Sequence, residues 1–193
     1  MISFESDYNN GVHPEVLRHL VETNDELTSG YGFDRFSDAA REKIIRACDC
    51  PDAEVFFLTG GTQTNMVVID AMLQVYEGVL AAKTAHINVH ESGAVEMTGH
   101  KVITLPEHQG KICEADLRCW LTTFHADENK DHCVFPGLVY ITFPTELGSV
   151  YQASEIEHIY GICRRFGLRL FIDGARLGYG LASSECDFDL PWL

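Results

Sequence analysis

Basic residues are scarce in this chain, with 14 Lys and Arg against 29 Asp and Glu and a formal charge of −15 over 193 residues. Such a balance repels polyphosphates and anionic bilayers alike, which argues against nucleic acid and membrane as partners. A small anionic ligand stays possible, because a local pocket overrides the net field. Long apolar runs are also lacking: none approaches the roughly 18 residues a bilayer crossing needs. The start, Met1-Ile2-Ser3-Phe4-Glu5-Ser6-Asp7, has no basic segment followed by an apolar one, so no signal peptide is read. Seven cysteines is an odd number. Cys48 and Cys50 are too close for C-x-x-C, and Cys113 and Cys119 have no second cluster. The natural reading is a set of reduced thiols in a cytoplasmic protein, without a metal site. Repeats, low-complexity tracts and linkers are lacking too.

What is present is alternation. Hydrophobic residues make up 46% of the chain and charged ones 22%, close to the averages of folded domains. Short apolar runs at Glu54–Leu58, Val79–Lys83, Lys101–Leu105, Leu138–Thr142 and Leu168–Ile172 read as buried strands. Between and before them, helices are predicted over Pro14–Glu22, Ser37–Ala47, Thr62–Tyr76, Glu114–His125 and Ser154–Phe166. Pro14 suits a first helical turn, and Ser37 could serve as an N-cap. The Thr62–Tyr76 helix is apolar around much of its circumference, which predicts a central position. The pattern predicts an α/β fold: three layers, a mainly parallel sheet with helices on both faces. In such sheets ligands sit beyond the carboxyl ends of the strands.

Four stretches fall there. Thr59-Gly60-Gly61-Thr62-Gln63-Thr64-Asn65 joins a Gly-rich turn to a helix start, a plausible phosphate cup; equally it is a tight turn capped by Thr62 or Thr64. Asp173 ends the last apolar run, where a half-desolvated carboxylate should find a cationic partner, Arg176 or a protonated ligand ring nitrogen; alternatively it bonds its own backbone in an Asp-Gly turn. His86 and His90, four apart, share a face if helical. They are candidate metal ligands without a third, or His86 lays its ring on an aromatic ligand, or it is a helix-start histidine bonded to backbone. Near the N-terminus, Ser6-Asp7-Tyr8 and Gly30-Tyr31-Gly32-Phe33-Asp34 read as loops with polar groups, as does Thr142-Phe143-Pro144-Thr145-Glu146.

In this order, the stretches Gly60-Gly61-Thr62-Gln63-Thr64-Asn65, Ala85-His86-Ile87, Thr98-Gly99-His100-Lys101-Val102 and Asp173-Gly174-Ala175-Arg176-Leu177 resemble the threonine aldolases of the β-eliminating lyase group, fold-type I pyridoxal phosphate enzymes. The resemblance runs from Phe4 onward and implies that group's large domain. Residues 1–35 are then an N-terminal arm and first helix, and 36–193 an incomplete cofactor-binding domain, truncated before the small C-terminal domain. It implies pyridoxal 5'-phosphate as cofactor, held at the phosphate by Gly61 and Thr62 with Gly60 nearby. His86 matches the histidine that stacks on the pyridine ring, and Asp173 the aspartate that keeps the ring nitrogen protonated. Arg176 and Ser6 match groups near the cofactor and the substrate carboxylate; Tyr31 and Asp34 match a Tyr-Gly-x-Asp stretch. The implied reaction cleaves a β-hydroxy-α-amino acid, threonine or allo-threonine, to glycine and an aldehyde, with His86 or a bound water taking the hydroxyl proton. Other pyridoxal phosphate chemistries on the same scaffold are β-elimination and transamination, and a third reading is a non-catalytic product. A homo-oligomer, dimer or tetramer, is implied for the full-length group.

The sequence departs from the group in three places. Thr145 stands where many members carry a histidine of a Glu-Asn-Thr-His stretch, and His90 where many carry a tyrosine. The Schiff-base lysine, expected beyond the Asp-Gly-Ala-Arg stretch, is missing: the five lysines are Lys43, Lys83, Lys101, Lys111 and Lys130. The chain as given is therefore expected to be inactive alone.

Overall fold

In the computed structural model, which describes residues 10–193, four strands form one parallel sheet in the order β2-β1-β3-β4. They are β1 (Glu77–Ala82), β2 (Val102–Leu105), β3 (Phe135–Thr142) and β4 (Arg169–Asp173). The central strands bury Val79, Leu80 and Ala81 on β1 and Leu138, Val139, Tyr140 and Ile141 on β3. Runs apolar on both faces are what a parallel strand covered by two helix layers requires. One layer pairs α6 (Glu114–Ala126) with α7 (Ala153–Phe166); the other pairs α3 (Gly61–Met72) with the short α5 (Ala94–Met97). The α/β, three-layer architecture read from the sequence is what the chain adopts.

Local chemistry explains the boundaries. α7 begins in a capping box, Gln152 with Glu155, and ends at Gly167 in the left-handed conformation that glycine tolerates. α1 (Pro14–Thr23) starts on proline, as expected. α2 (Arg35–Ala47) is capped not by Ser37 but by Asp34, whose Oδ1 accepts from the amides of Phe36 and Ser37 at 3.0 and 2.9 Å. The Ser37 hydroxyl donates to the same carboxylate at 2.7 Å. A carboxylate with two oxygens at the cap position outcompetes a hydroxyl three residues inside the helix.

Two expectations fail. Glu54–Leu58 is not a strand: it pairs with nothing among the described residues, and Phe56 is 75% exposed. Its β-forming residues lack the partner ladder that a strand needs. The α3 helix stops at Met72, not Tyr76, and of its apolar residues buries only Ile69, together with the polar Asn65, so it is less enclosed than expected. A separate bend carries residues 73–76 into β1, where Glu77 N bonds Gln74 O.

Candidate active site

Strand order places the site. From β1 the chain moves outward to β2, then returns across the sheet to β3 and β4. Neighbouring loops at the carboxyl ends of β1 and β3 therefore diverge, and the crevice between them is where open α/β sheets bind ligands. A cavity of about 360 Å³ opens there, lined by Gly61, His86, Thr142, Pro144, Glu146, Asp173, Ala175 and Arg176.

The α3 helix brings its N-terminus to this cavity. Its cap, Gly60, offers no side chain, and neither Thr62 nor Thr64 takes that place: the Thr64 hydroxyl donates back to Gly60 O at 2.9 Å. The first-turn amides thus lack a side-chain acceptor from the cap, which leaves an anion-binding helix end. A Cβ added at Gly60 or Gly61 would meet nothing within 4 Å, so open space lies over the turn. Gln63 turns back, its Oε1 accepting from the Thr59 amide at 3.1 Å and hydroxyl at 2.6 Å.

His86 opens α4 (His86–Val89), a single turn after β1. Ala85 cannot cap it, and the cap comes from across the cavity: Glu146 Oε1 accepts from the His86 amide at 2.9 Å. Glu146 Oε2 accepts from the Thr142 hydroxyl at 2.9 Å, which fixes the carboxylate at both oxygens. The His86 ring lies 5.4 Å from the His90 ring, so the two share a face as the spacing suggests. Its Nδ1 is 2.7 Å from Oε1 of Glu91, whose side chain is fully buried.

Asp173 ends β4. It does bond the turn after it, Ala175 N to Oδ1 at 3.0 Å, but its other oxygen points inward. Oδ2 accepts from the Tyr140 hydroxyl at 2.6 Å and from Asn65 Nδ2 at 3.0 Å. Burial, and then the adjacent Asp173 charge, push the Tyr140 phenol far above its ordinary value, so it is a permanent neutral donor. Asn65 also donates to Glu91 Oε1 at 2.7 Å. One continuous chain of side-chain hydrogen bonds thus runs Tyr140–Asp173–Asn65–Glu91–His86.

The structure brings Gly61, His86, Asp173 and Arg176 to one cavity, with Gly60 and Thr62 beside Gly61 on the same turn. Thr145 is not brought there. It is 2% exposed, and its hydroxyl is shared with Ser149 Oγ at 2.8 Å and Gln109 O at 3.4 Å. Tyr31 sits fully exposed in the loop before α2 with φ 62°, and Ser6 lies outside the described residues. Sequence reading missed Asn65, Glu91, Tyr140 and Glu146. Asn65 carried no signal of its own, being one of several polar residues in the first turns of α3. His100, in the Thr-Gly-His stretch, is buried, with Nδ1 2.9 Å from Glu77 O.

Residues 5–188 match the beta-eliminating lyase family. The chain belongs to this family. Pyridoxal phosphate is the cofactor that goes with that membership, and the uncapped helix end, His86 and Asp173 around one cavity are a donor set that fits it. As a beta-eliminating lyase family member, the chain is 32% identical over 192 residues to a low specificity L-threonine aldolase of a Pseudomonas species, and 31% identical to that of Pseudomonas aeruginosa. Each match covers 98% of this chain and 54% of the relative, so the chain spans about half the length of the curated relatives it matches. A solved threonine aldolase of Leishmania major superposes with a TM-score of 0.91 at 40% identity, over 97% of this chain and 54% of that one. Among the described residues, no helix is long and apolar enough to cross a membrane.

Proposed function

We propose that this chain carries the cofactor- and substrate-holding part of an aldehyde-lyase that cleaves threonine or allo-threonine to glycine and an aldehyde. The observation that carries this reading is the single cavity that gathers an anion-binding helix end, a histidine ring and a half-buried aspartate. Similarity to threonine aldolases over nearly the whole chain supports the substrate class.

The amides at Gly61 and Thr62, with Gly60 leaving room, would hold the cofactor phosphate. His86 would lie against the pyridine ring. Asp173, fixed by Tyr140 and Asn65, would hold a proton at the ring nitrogen. When bound, the cofactor supplies a conjugated ring that accepts the electron pair of the breaking Cα–Cβ bond. The Arg176 guanidinium offers a planar fork suited to the substrate carboxylate. In the hydrogen-bond chain described above, the Glu91 carboxylate accepts at Nδ1, so the His86 proton sits on Nδ1 and Nε2 is free to take the β-hydroxyl proton. Contacts by Ser6 and Tyr31 to the substrate remain part of this proposal by resemblance alone, as do a homo-oligomeric full-length protein, a cytoplasmic location and the division into residues 1–35 and 36–193.

Among the described residues no lysine lines the cavity, and Lys111 is committed to Glu155 at 2.7 Å. The chain as given should therefore bind the cofactor without a covalent bond and be inactive alone. Titration with pyridoxal phosphate followed by borohydride should leave no cofactor attached to the chain, while His86→Ala and Asp173→Asn weaken the reversible binding. Covalent trapping at any of the five lysines would overturn the assignment, as would binding unaffected by both substitutions. In a longer form that carries a lysine in the site, release of glycine and aldehyde supports the aldehyde-lyase reading; release of ammonia and a keto acid assigns β-elimination instead.

A further inference from the structure

The turn before α6 holds a second cluster, apart from the cavity. His108 and Lys111 form an isolated antiparallel bridge, with His108 N to Lys111 O at 2.9 Å and Lys111 N to His108 O at 3.1 Å. Gln109 and Gly110 complete it in the left-handed region, φ 55° and 85°. This hairpin folds His108 back over the first turn of α6, where Cys113 is the N-cap and Asp116 lies three residues on. Nε2 of His108 is 2.9 Å from Asp116 Oδ2, and Cys113 Sγ lies 3.1 Å from the same oxygen. One ligand atom from each of the three residues lies within 4.8 Å of the other two.

We propose that His108, Cys113 and Asp116 form a binding site for a zinc-like divalent cation. A thiolate, an imidazole and a carboxylate oxygen are the donor set zinc takes, and the sulfur argues against calcium or magnesium. Three protein ligands leave a fourth position for water. The ion would stand in for the protons that Asp116 Oδ2 now gathers: the Cys113 thiol gives up its proton to solvent, and His108 carries its proton on Nδ1 while Nε2 binds. The Asp116 amide, 3.4 Å from Cys113 Sγ, would remain as a donor to the thiolate. Lys111, the hairpin partner of His108, is turned to Glu155, and Glu114 is engaged by Arg118 and by His158 at 3.2 Å, so neither occupies the cluster. The hairpin bridge holds His108, and the first turn of α6 holds Cys113 and Asp116, so all three ligands stand on ordered backbone and binding needs side-chain adjustment only.

Cobalt(II) titration of the reduced chain tests this, because a bound thiolate gives cobalt a sulfur-to-metal absorption band. The expected result is a band that saturates at one equivalent, is displaced by zinc(II), and is absent in Cys113→Ser, where serine still caps the helix. His108→Gln should weaken binding by at least the roughly 10–100-fold that loss of an outer-shell partner alone costs a metal site. No thiolate band in the natural chain would overturn the proposal. So would a band that survives Cys113→Ser, which would assign it to another of the seven cysteines, or an affinity unchanged in His108→Gln.

Discussion

Glu91 Oε1 sits 2.7 Å from His86 Nδ1 and 2.7 Å from Asn65 Nδ2, while its other oxygen is buried without a partner among the described residues. One buried oxygen therefore sets both the tautomer of the histidine and the orientation of the amide. Glu91→Gln swaps that acceptor for a weaker one and introduces donors beside Asn65. The expected outcome is loss of the Nδ1–H preference at His86, read directly from ¹⁵N shifts of the labelled ring. Destabilisation should be on the order of 1.5–3 kcal/mol, the value of a hydrogen bond to a charged group. An unchanged ring spectrum would contradict the assignment.

Asn65→Ala removes the one amide that donates to both Glu91 and Asp173. Two carboxylates, one fully buried and one half-buried, then each lose a donor. Urea denaturation should show a midpoint drop corresponding to more than about 2 kcal/mol, and pyridoxal phosphate affinity should fall with it. Asn65→Asp should be worse, since it adds a third negative charge to the same space. If Asn65→Asp binds the cofactor as well as the natural chain does, the bridging role is wrong.

Gly78→Ala tests the sheet at the point where the β1–β3 register shifts. A Cβ at Gly78 would lie 2.6 Å from the backbone oxygen of Lys101 and 3.0 Å from Val134 Cγ1. The Lys101 oxygen, just before β2, accepts from the Val79 amide at 3.0 Å and cannot retreat as a side-chain tip can. The cost should reach or exceed the roughly 1–3 kcal/mol typical of overpacking, visible as a lower thermal midpoint.

Cys163 is fully buried, and burial pushes its thiol from 9.0 up to about 12. Below pH 9 the thiol is protonated whether the chain is folded or not, and its contribution is constant. Between pH 9 and 12 only the unfolded chain ionises there, so stability is lost as pH rises, by an amount on the order of 4 kcal/mol across that interval. Cys163→Ala should be less stable than the natural chain at neutral pH, and the gap should close toward pH 12. In the native state, iodoacetamide should modify the exposed Cys50, Cys119 and Cys133 well before Cys163.

Asp34 is the cap of α2, and its carboxylate is held below the ordinary 3.8, chiefly by the Ser37 hydroxyl and amide. The cap's contribution is thus present above pH 3.8 and lost as pH falls through the lower folded value. Asp34→Ala should fray the first turn of α2, with faster amide exchange at Phe36 and Ser37, and should remove this acid-side dependence.

The four strands of the sheet were legible because each is an apolar run bounded by turn or cap residues. Glu54–Leu58 has the same composition and failed, because composition reports the tendency to pair and not the presence of a partner. At the site, His86 and Asp173 were legible as candidates because they follow apolar runs that are strands, and Gly61 because a Gly-rich turn opens a helix there; the resemblance then chose among the local readings. Thr145 and Glu146 show the limit: adjacent residues in one loop, of which only the second faces the cavity. No periodicity fixes side-chain direction in a loop, so nothing in the sequence separates them. Asn65, Glu91 and Tyr140 were hidden for another reason, since each matters through a partner 26 to 108 positions away.

The hydrogen-bonded run from Tyr140 to His86, which reaches the cavity at Asp173 and His86, means that its two ends are not independent variables. A change at Tyr140 alters what Asp173 asks of Asn65, and hence how firmly Glu91 grips the histidine. Evolutionary drift at any one of the five positions is therefore constrained by the other four, and a viable alternative run has to be reached by paired replacements. Combined substitutions at its two ends should depart from additivity, in contrast to pairs taken from separate parts of the fold.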